Sequence, residues 1–330
     1  MIGAFLTTIL WSFSAIFARK STGTFGPGFA NFSRLFLACI FLGAYTHIFA
    51  PAMEWNSFQI LFISGVIGLG LGDLALFVAL PRLGSRLSLL MVQCLAAPIA
   101  ALIEWVWLDT TLNTVQMISG LIVLAGIAIA FRPSGEVSPD ALGIAMGLLA
   151  ALGQGAGAII SRGAFEYMRE ASIPVDGGSA AYQRMLGGFV ISGLYFFASQ
   201  ALSKRKARNR KNSRPEISEA KGDANRRGWT DTASAIDPKT VGDTRLRPRK
   251  TSDYLYILGN TLCGPVLGVA CYQWALSELA GGVVLAIVAT TPLVAIPFTW
   301  WLEKDRAGLQ AWGGGIIASA GVIGLVMGTR

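Results

Sequence analysis

The chain has few of the residues from which active sites and soluble surfaces are built. Of its 330 residues one is histidine, four are cysteine and 14% are charged. The histidine, His47, has no acid close to it in sequence, whereas general acid–base chemistry in a membrane enzyme normally calls for a histidine with partners, a carboxylate dyad or a metal cluster. Cys39, Cys94, Cys263 and Cys271 lie scattered in apolar stretches without C-x-x-C spacing, which argues against a metal site or a disulfide framework. No Walker loop or glycine-rich nucleotide motif is present to power a pump. Strand-like alternation between aromatic girdles is also missing, which makes a β-barrel a poor alternative. No cofactor is expected.

What the chain has is apolar length. With 53% hydrophobic residues and a mean hydropathy of +0.55, it carries too little polar surface for a soluble globule of this size. Apolar runs fall near residues 2–18, 28–50, 58–79, 88–108, 114–131, 141–161, 179–201, 254–276, 282–302 and 309–328. Each is long enough to cross about 30 Å of hydrocarbon at about 1.5 Å per residue. The expected class is an all-α polytopic membrane protein with ten transmembrane helices, multi-pass in the cytoplasmic membrane. The first run is followed by Arg19-Lys20 in place of a small-residue cleavage site, so it reads as a retained helix.

The net charge of +8 is concentrated in one place. Residues 204–253 hold fifteen Lys/Arg against seven Asp/Glu, and the rest of the chain holds twelve of each. That stretch lacks apolar periodicity and is expected to be a disordered loop, 202–253, whose basic part, 204–250, is drawn to anionic lipid; nothing aromatic or folded accompanies it that would suit a nucleic acid. Numbering loops by the spans they join, the odd loops carry Arg19, Lys20, Arg82, Arg86, Arg132, the fifteen basic residues, Lys304 and Arg306, and the even loops carry Arg162 and Arg169. By the positive-inside rule the odd loops are cytoplasmic and both termini lie outside.

Two distant stretches repeat one pattern. Val92-Gln93-Cys94-Leu95-Ala96-Ala97-Pro98 leads, eleven residues past its proline, to Asp109 behind a Trp-rich turn that includes Glu104; Val288-Ala289-Thr290-Thr291-Pro292 leads, again by eleven, to Glu303. Arg34 in Asn31-Phe32-Ser33-Arg34-Leu35 matches Arg184 in Ala181-Tyr182-Gln183-Arg184-Met185, and Gly72 to Ala79-Leu80 matches Gly268 to Ala275-Leu276. The spacing is 150 residues at the arginines and 194 at the prolines, the gain falling where the basic loop enters the second copy. An odd block of five spans in tandem must sit upside down relative to its twin, which is the architecture of secondary transporters. The expected units are 1–132 and 138–330, the latter interrupted by the basic loop.

With Trp11-Ser12, Arg19-Lys20, Arg34, Arg184, the run from Ala79-Leu80 through Ser85-Arg86-Leu87-Ser88-Leu89-Leu90 to Pro98, and Leu302-Glu303 before Gln310, the chain resembles the EamA-type, ten-helix members of the drug/metabolite transporter superfamily. The first copy ends in Leu108-Asp109 where that family has leucine-glycine-glutamate. The resemblance implies a carrier of small organic solutes, such as amino acids, other metabolites or drugs, working through a cavity between the halves, with both termini in the cytoplasm. The two expectations for the termini are opposed.

A charge in the bilayer core costs about 2.5 to 3.5 kcal/mol on insertion scales and persists with a partner, water or a function. Asp73, roughly 12 Å deep on a helical rise, is the candidate proton or ion site; its counterpart is Val269. Arg34 and Arg184 are candidate gates for an anionic group near opposite faces. Trp11, Gln93, Gln154, Tyr272, Gln273 and Thr290, with Ser14 and Asn260, are candidate lining residues for substrate. Pro98 and Pro292 are expected to kink their spans and free carbonyls. Gly143 with Gly147 and Gly264 with Gly268 suit close helix contact within the chain first and in a homodimer second. A membrane scaffold that moves nothing is the alternative reading, and an integral-membrane enzyme a remoter one.

Overall fold

The computed structural model describes residues 1–51, 53–108, 113–130, 140–212, 251–279, 281–303 and 308–327. Among them the regular structure is helical: α1 (Ile2–Phe25), α2 (Pro27–Phe49), α3 (Trp55–Gly65), α4 (Asp73–Leu89), α5 (Leu95–Leu108), α6 (Thr114–Ala130), α7 (Ala141–Glu170), α8 (Gly177–Asn212), α9 (Thr251–Thr261), α10 (Leu267–Glu278), α11 (Gly281–Val288), α12 (Thr291–Glu303) and α13 (Leu309–Met327). Six helical stretches are long and apolar enough to cross a membrane, and the apolar helices Leu87–Ala100, Met117–Ala130, Thr291–Leu302 and Leu309–Gly324 are shorter. Large apolar side chains such as Phe5, Ile9, Leu194 and Phe197 are exposed. In water such a belt would drive aggregation, and in a bilayer it faces lipid.

Three π-helical turns interrupt the spans. Val66–Gly72 joins α3 to α4, Leu90–Cys94 joins α4 to α5, and Leu262–Val266 joins α9 to α10. The first is rich in glycine, which tolerates irregular backbone and lets a neighbour approach. The third contains Pro265, which has no N–H to return to the carbonyl of Thr261. The register that pairs Gly72 with Gly268 also pairs Val66 with Leu262, so the two turns begin at matched positions. Three departures from the expected spans stand out. The third and fourth run together, divided by a bend at Gly84 with φ of 77°. The span expected at 282–302 is broken into α11 and α12 just before Pro292. Pro98, by contrast, lies inside its expected span, in the first turn of α5, four residues past the π-turn that ends at Cys94. Finally, α8 continues to Asn212, so the segment 202–212 is helix rather than the start of a disordered loop; residues 213–250 lie outside the described residues.

The helices interlock across the chain. Helix α1 packs on α9, α10 and α12, while α7 packs on α3, α4 and α5; α2 runs along α8 and α6 along α13. A polar seam holds α1 in place: Thr7, Thr8 and Ser12 donate to carbonyls of their own helix and also approach the carbonyls of Gly268, Ile287 and Thr291 at 3.3 Å. Hydroxyls that share a backbone carbonyl this way add interhelical hydrogen bonds without leaving a buried group unpaired. Gly143 and Gly147 admit Leu83 and Met91, which places both in packing within the chain.

The turns gather at two ends. At one, Arg19 lies beside Gly84, Arg82 Nε pairs with Asp140 at 3.1 Å, and Lys20 sits 5.0 Å over the ring of Tyr256. At the other, Tyr45 donates to Asp176 at 3.1 Å, Asn56 to Tyr167 at 2.9 Å, and Arg169 to the carbonyl of Ser277 at 3.5 Å. These are the odd-loop and even-loop ends of the sequence numbering. Glu54 caps α3 at the even-loop end, and the N–H groups of Asn56 and Ser57 hold its carboxyl below the usual range.

A buried charged cavity between the repeated helices

In the odd-loop half, α1, α2, α4, α7, α9, α10 and all three π-turns contribute residues to a cavity of about 70 Å³. Trp11, Ser14, Arg34, Asp73, Gln93, Gln154 and Asn260 line it with Leu76, Phe77 and Leu80. Six expected residues therefore meet in one place, together with Asp73. The volume holds a few waters and falls well short of the several hundred Å³ of an organic-ligand pocket. A solute enters only if the helices part.

The charged centre is a buried ion pair. Arg34 Nη2 meets Asp73 Oδ2, Arg34 Nε donates to Asn31 Oδ1 at 3.0 Å, and the guanidinium lies 4.6 Å over the ring of Phe77. Asn31 is in turn held by its amide to Ser192 at 3.1 Å. Asp73 opens α4 directly behind the π-turn, which turns its side chain toward α2. Ser14 donates to Asn260 at 2.8 Å on the far wall.

Arg184 occupies the even-loop half. Its side chain is buried, its Nε has no hydrogen-bond partner among the described residues, and it lies within electrostatic reach of Asp73 and Tyr272. The two arginines touch matching glycines crosswise: a methyl on Gly68 would lie 3.0 Å from Arg184 Nη2, and one on Gly264 would lie 3.3 Å from Arg34 Nη1. Each arginine thus rests on the π-turn of the other half, at positions paired by the Gly72–Gly268 register. That crosswise exchange is the contact pattern a two-fold axis produces.

Tyr272, Gln273 and Thr290 do not line the cavity. Tyr272 packs against Trp11, the rings tilted by 41° with centroids 5.1 Å apart, and joins the apolar cluster of Leu61, Phe165, Met168 and Leu276 that fills the even-loop half. Thr290 donates to Ile287 O at 2.6 Å in the break before α12. There Pro292 leaves the carbonyl of Val288 without an N–H, and Thr291 Oγ1 takes it; the carbonyl of Ala289 accepts from Cys94 and Ser319 instead. The freed carbonyls expected at Pro292 are used to tie helices together.

Asn31, Phe77 and Gly68 were not singled out by the sequence, and Gly264 was singled out only as a close-contact glycine beside Gly268. Carrying the matched registers outward by a few residues would have found the two glycines. Asp109 lies outside the described residues, and the side chains of Glu104 and Glu303 are not described. A wider groove of about 550 Å³ runs between Tyr45, Leu267 and Trp274, with exposed apolar walls that suit lipid. Among the described residues no group of three His, Cys, Asp or Glu is placed to hold a metal ion.

Membrane-length helices around a buried charged cavity define a polytopic helical membrane protein. A model of the EamA-like transporter family matches residues 1–132 and 240–327, about two thirds of the chain. The chain belongs to the EamA-like transporter family, consistent with the drug/metabolite transporter superfamily, whose EamA members are transporters rather than enzymes. A crystal structure described only as that of a protein is 16% identical, with a TM-score of 0.58 over 100% of this chain and 95% of that one, which extends the likeness to the fold. Comparison with curated proteins gives no match.

Proposed function

We propose that the protein is a secondary carrier of a small organic solute, working by alternating access in the cytoplasmic membrane. Its ten spans form two inverted five-helix repeats, 1–132 and 138–330. The observation that carries this reading is the buried Arg34–Asp73 pair in a cavity walled by both halves. Crosswise packing of α1 and α7, and of the two arginines on opposite π-turns, supports the inversion. An ion pair inside hydrocarbon is retained where it serves binding or coupling.

Asp73 is the coupling site in this reading. While it is ionised it neutralises Arg34; a proton on Asp73 releases the guanidinium to a solute group, so proton and solute occupancy are linked through one residue. The cargo is an amino acid, another metabolite or a drug-like solute, and the carrier functions as single chains or as a homodimer. No nucleic acid takes part.

Reconstitution tests the reading. The purified chain in liposomes, screened with a radiolabelled metabolite set under an imposed pH gradient, is expected to move at least one solute, and Asp73→Asn is expected to remove the dependence on the gradient. Absence of flux for every solute would favour a scaffold.

A further inference from the structure

The repeat maps the cavity onto a filled counterpart in the other half. Arg34, Leu76, Phe77 and Leu80 line the cavity, and the matched positions in the second copy are Arg184, Tyr272, Gln273 and Leu276. These four are 2%, 1%, 0% and 3% exposed, packed in the even-loop half. Eight buried side-chain atoms have no hydrogen-bond partner among the described residues; four of them are Arg184 Nε, Tyr272 OH, and Gln273 Nε2 and Oε1. Buried polar groups in native proteins are almost always paired. A concentration of unpaired ones at the mapped positions marks groups whose partner arrives in another state.

The charge of this cluster identifies the partner. Arg34 is satisfied by Asn31 and Asp73, and the matched residues in the second copy are Ala181 and Val269, neither of which can accept a hydrogen bond through its side chain. Arg184 is therefore a single cation whose built-in acceptors have been removed. A guanidinium binds a carboxylate through paired N–H groups, the Tyr272 hydroxyl adds a donor, and the Gln273 amide offers both donor and acceptor. A single guanidinium that Asp73 reaches only at a distance, with no carboxylate in hydrogen-bond contact, matches a monoanionic group better than a dianionic phosphate. Trp11 stands between the two sites, lining the cavity and packing its ring at a tilt against Tyr272.

We propose that Arg184, Tyr272 and Gln273 form a second binding station, closed in this state, that receives the carboxylate of the transported solute when the even-loop half opens. This rests on the carrier reading above and specifies its cargo as carboxylate-bearing. The test uses the purified full-length chain in nanodiscs and liposomes, with benzoate, leucine and phenylalanine beside benzamide, leucinamide and phenylalaninamide, and inorganic phosphate as a further anion. Carboxylates are expected to raise the apparent melting temperature and to exchange across liposomes, while amides and phosphate do neither. Arg184→Gln is expected to weaken carboxylate binding at least tenfold. Tyr272→Phe removes an unpaired hydroxyl, so it is expected to weaken binding several-fold while leaving the ligand-free protein as stable or more so; it also serves if Arg184→Gln does not fold. Equal response to acids and amides, or unchanged affinity in either folded variant, overturns the proposal. If the panel is inert but a cation or neutral solute is carried, this proposal fails and the carrier reading stands. If no solute of any kind moves, both fall.

Discussion

Arg34 shows why one residue in a membrane helix does several jobs at once. Its charge is matched by Asp73, its Nε by Asn31 and its flat face by Phe77, so removing it strands a carboxylate in a low-dielectric interior. Breaking one side of a buried pair costs about 3 to 5 kcal/mol, whereas replacing both with apolar groups is often neutral. Arg34→Ala is accordingly expected to lower thermal stability in detergent sharply. Arg34→Met with Asp73→Leu is expected to recover most of it and still transport nothing, which separates the pair's structural role from its function; a double variant as unstable as the single one would contradict the stranded-charge account. Both charges were legible in the sequence because hydrocarbon makes any charge conspicuous. Asn31 was not, since an asparagine near a helix end has many ordinary uses. Of the crosswise glycines, Gly264 was legible only as a packing position and Gly68 not at all, for a different reason: a glycine carries no chemistry of its own and gains meaning only from the guanidinium laid against it.

At the scale of the helix, apolar length located the spans but not their irregularities. Hydropathy does not register the one extra residue of a π-turn, so Val66–Gly72, Leu90–Cys94 and Leu262–Val266 left no mark beyond glycine and proline content. Prolines are the exception, because a missing N–H is a local fact. The break ahead of Pro292 is held by Thr291 on the Val288 carbonyl and by Cys94 and Ser319 on that of Ala289. Pro292→Ala returns a backbone donor to Val288, and the expected outcome is a higher melting temperature with slower solute flux, measured on the same preparation; faster flux would mean the break serves no movement. Glu54 offers a check at the other end of α3. Its carboxyl is held low by the N–H groups it accepts from, so its contribution is present above the unfolded carboxylate range and fades as pH falls through its folded value. Glu54→Gln is expected to melt lower than the parent at neutral pH, and the two curves are expected to converge in acid.

For the whole molecule, the separation of the turns into two ends gives the loop charges a physical meaning. The cavity, the Arg34–Asp73 pair and the basic continuation of α8 all belong to the odd-loop half, while the apolar cluster around Phe165 and Tyr272 closes the other. Beyond Leu202, α8 runs on for ten residues to Asn212, about 15 Å at the helical rise, carrying Lys204, Arg205, Lys206, Arg208, Arg210 and Lys211 past the headgroups. Basic residues there are attracted to an anionic cytoplasmic leaflet by about 1 kcal/mol each, and translocating them is what the positive-inside rule opposes. The resemblance to the family points the other way by placing both termini in the cytoplasm, so a direct measurement decides. In a cysteine-free background, Ala171→Cys in the even-loop turn and Asn209→Cys in the basic helix report the two ends. With the odd loops inside, a membrane-impermeant maleimide is expected to label Ala171→Cys in intact cells and Asn209→Cys only after permeabilisation, and the cavity then faces the cytoplasm in this state. The reverse pattern would reject the charge count and turn the cavity outward, and the direction of solute movement inferred from any liposome assay would turn with it.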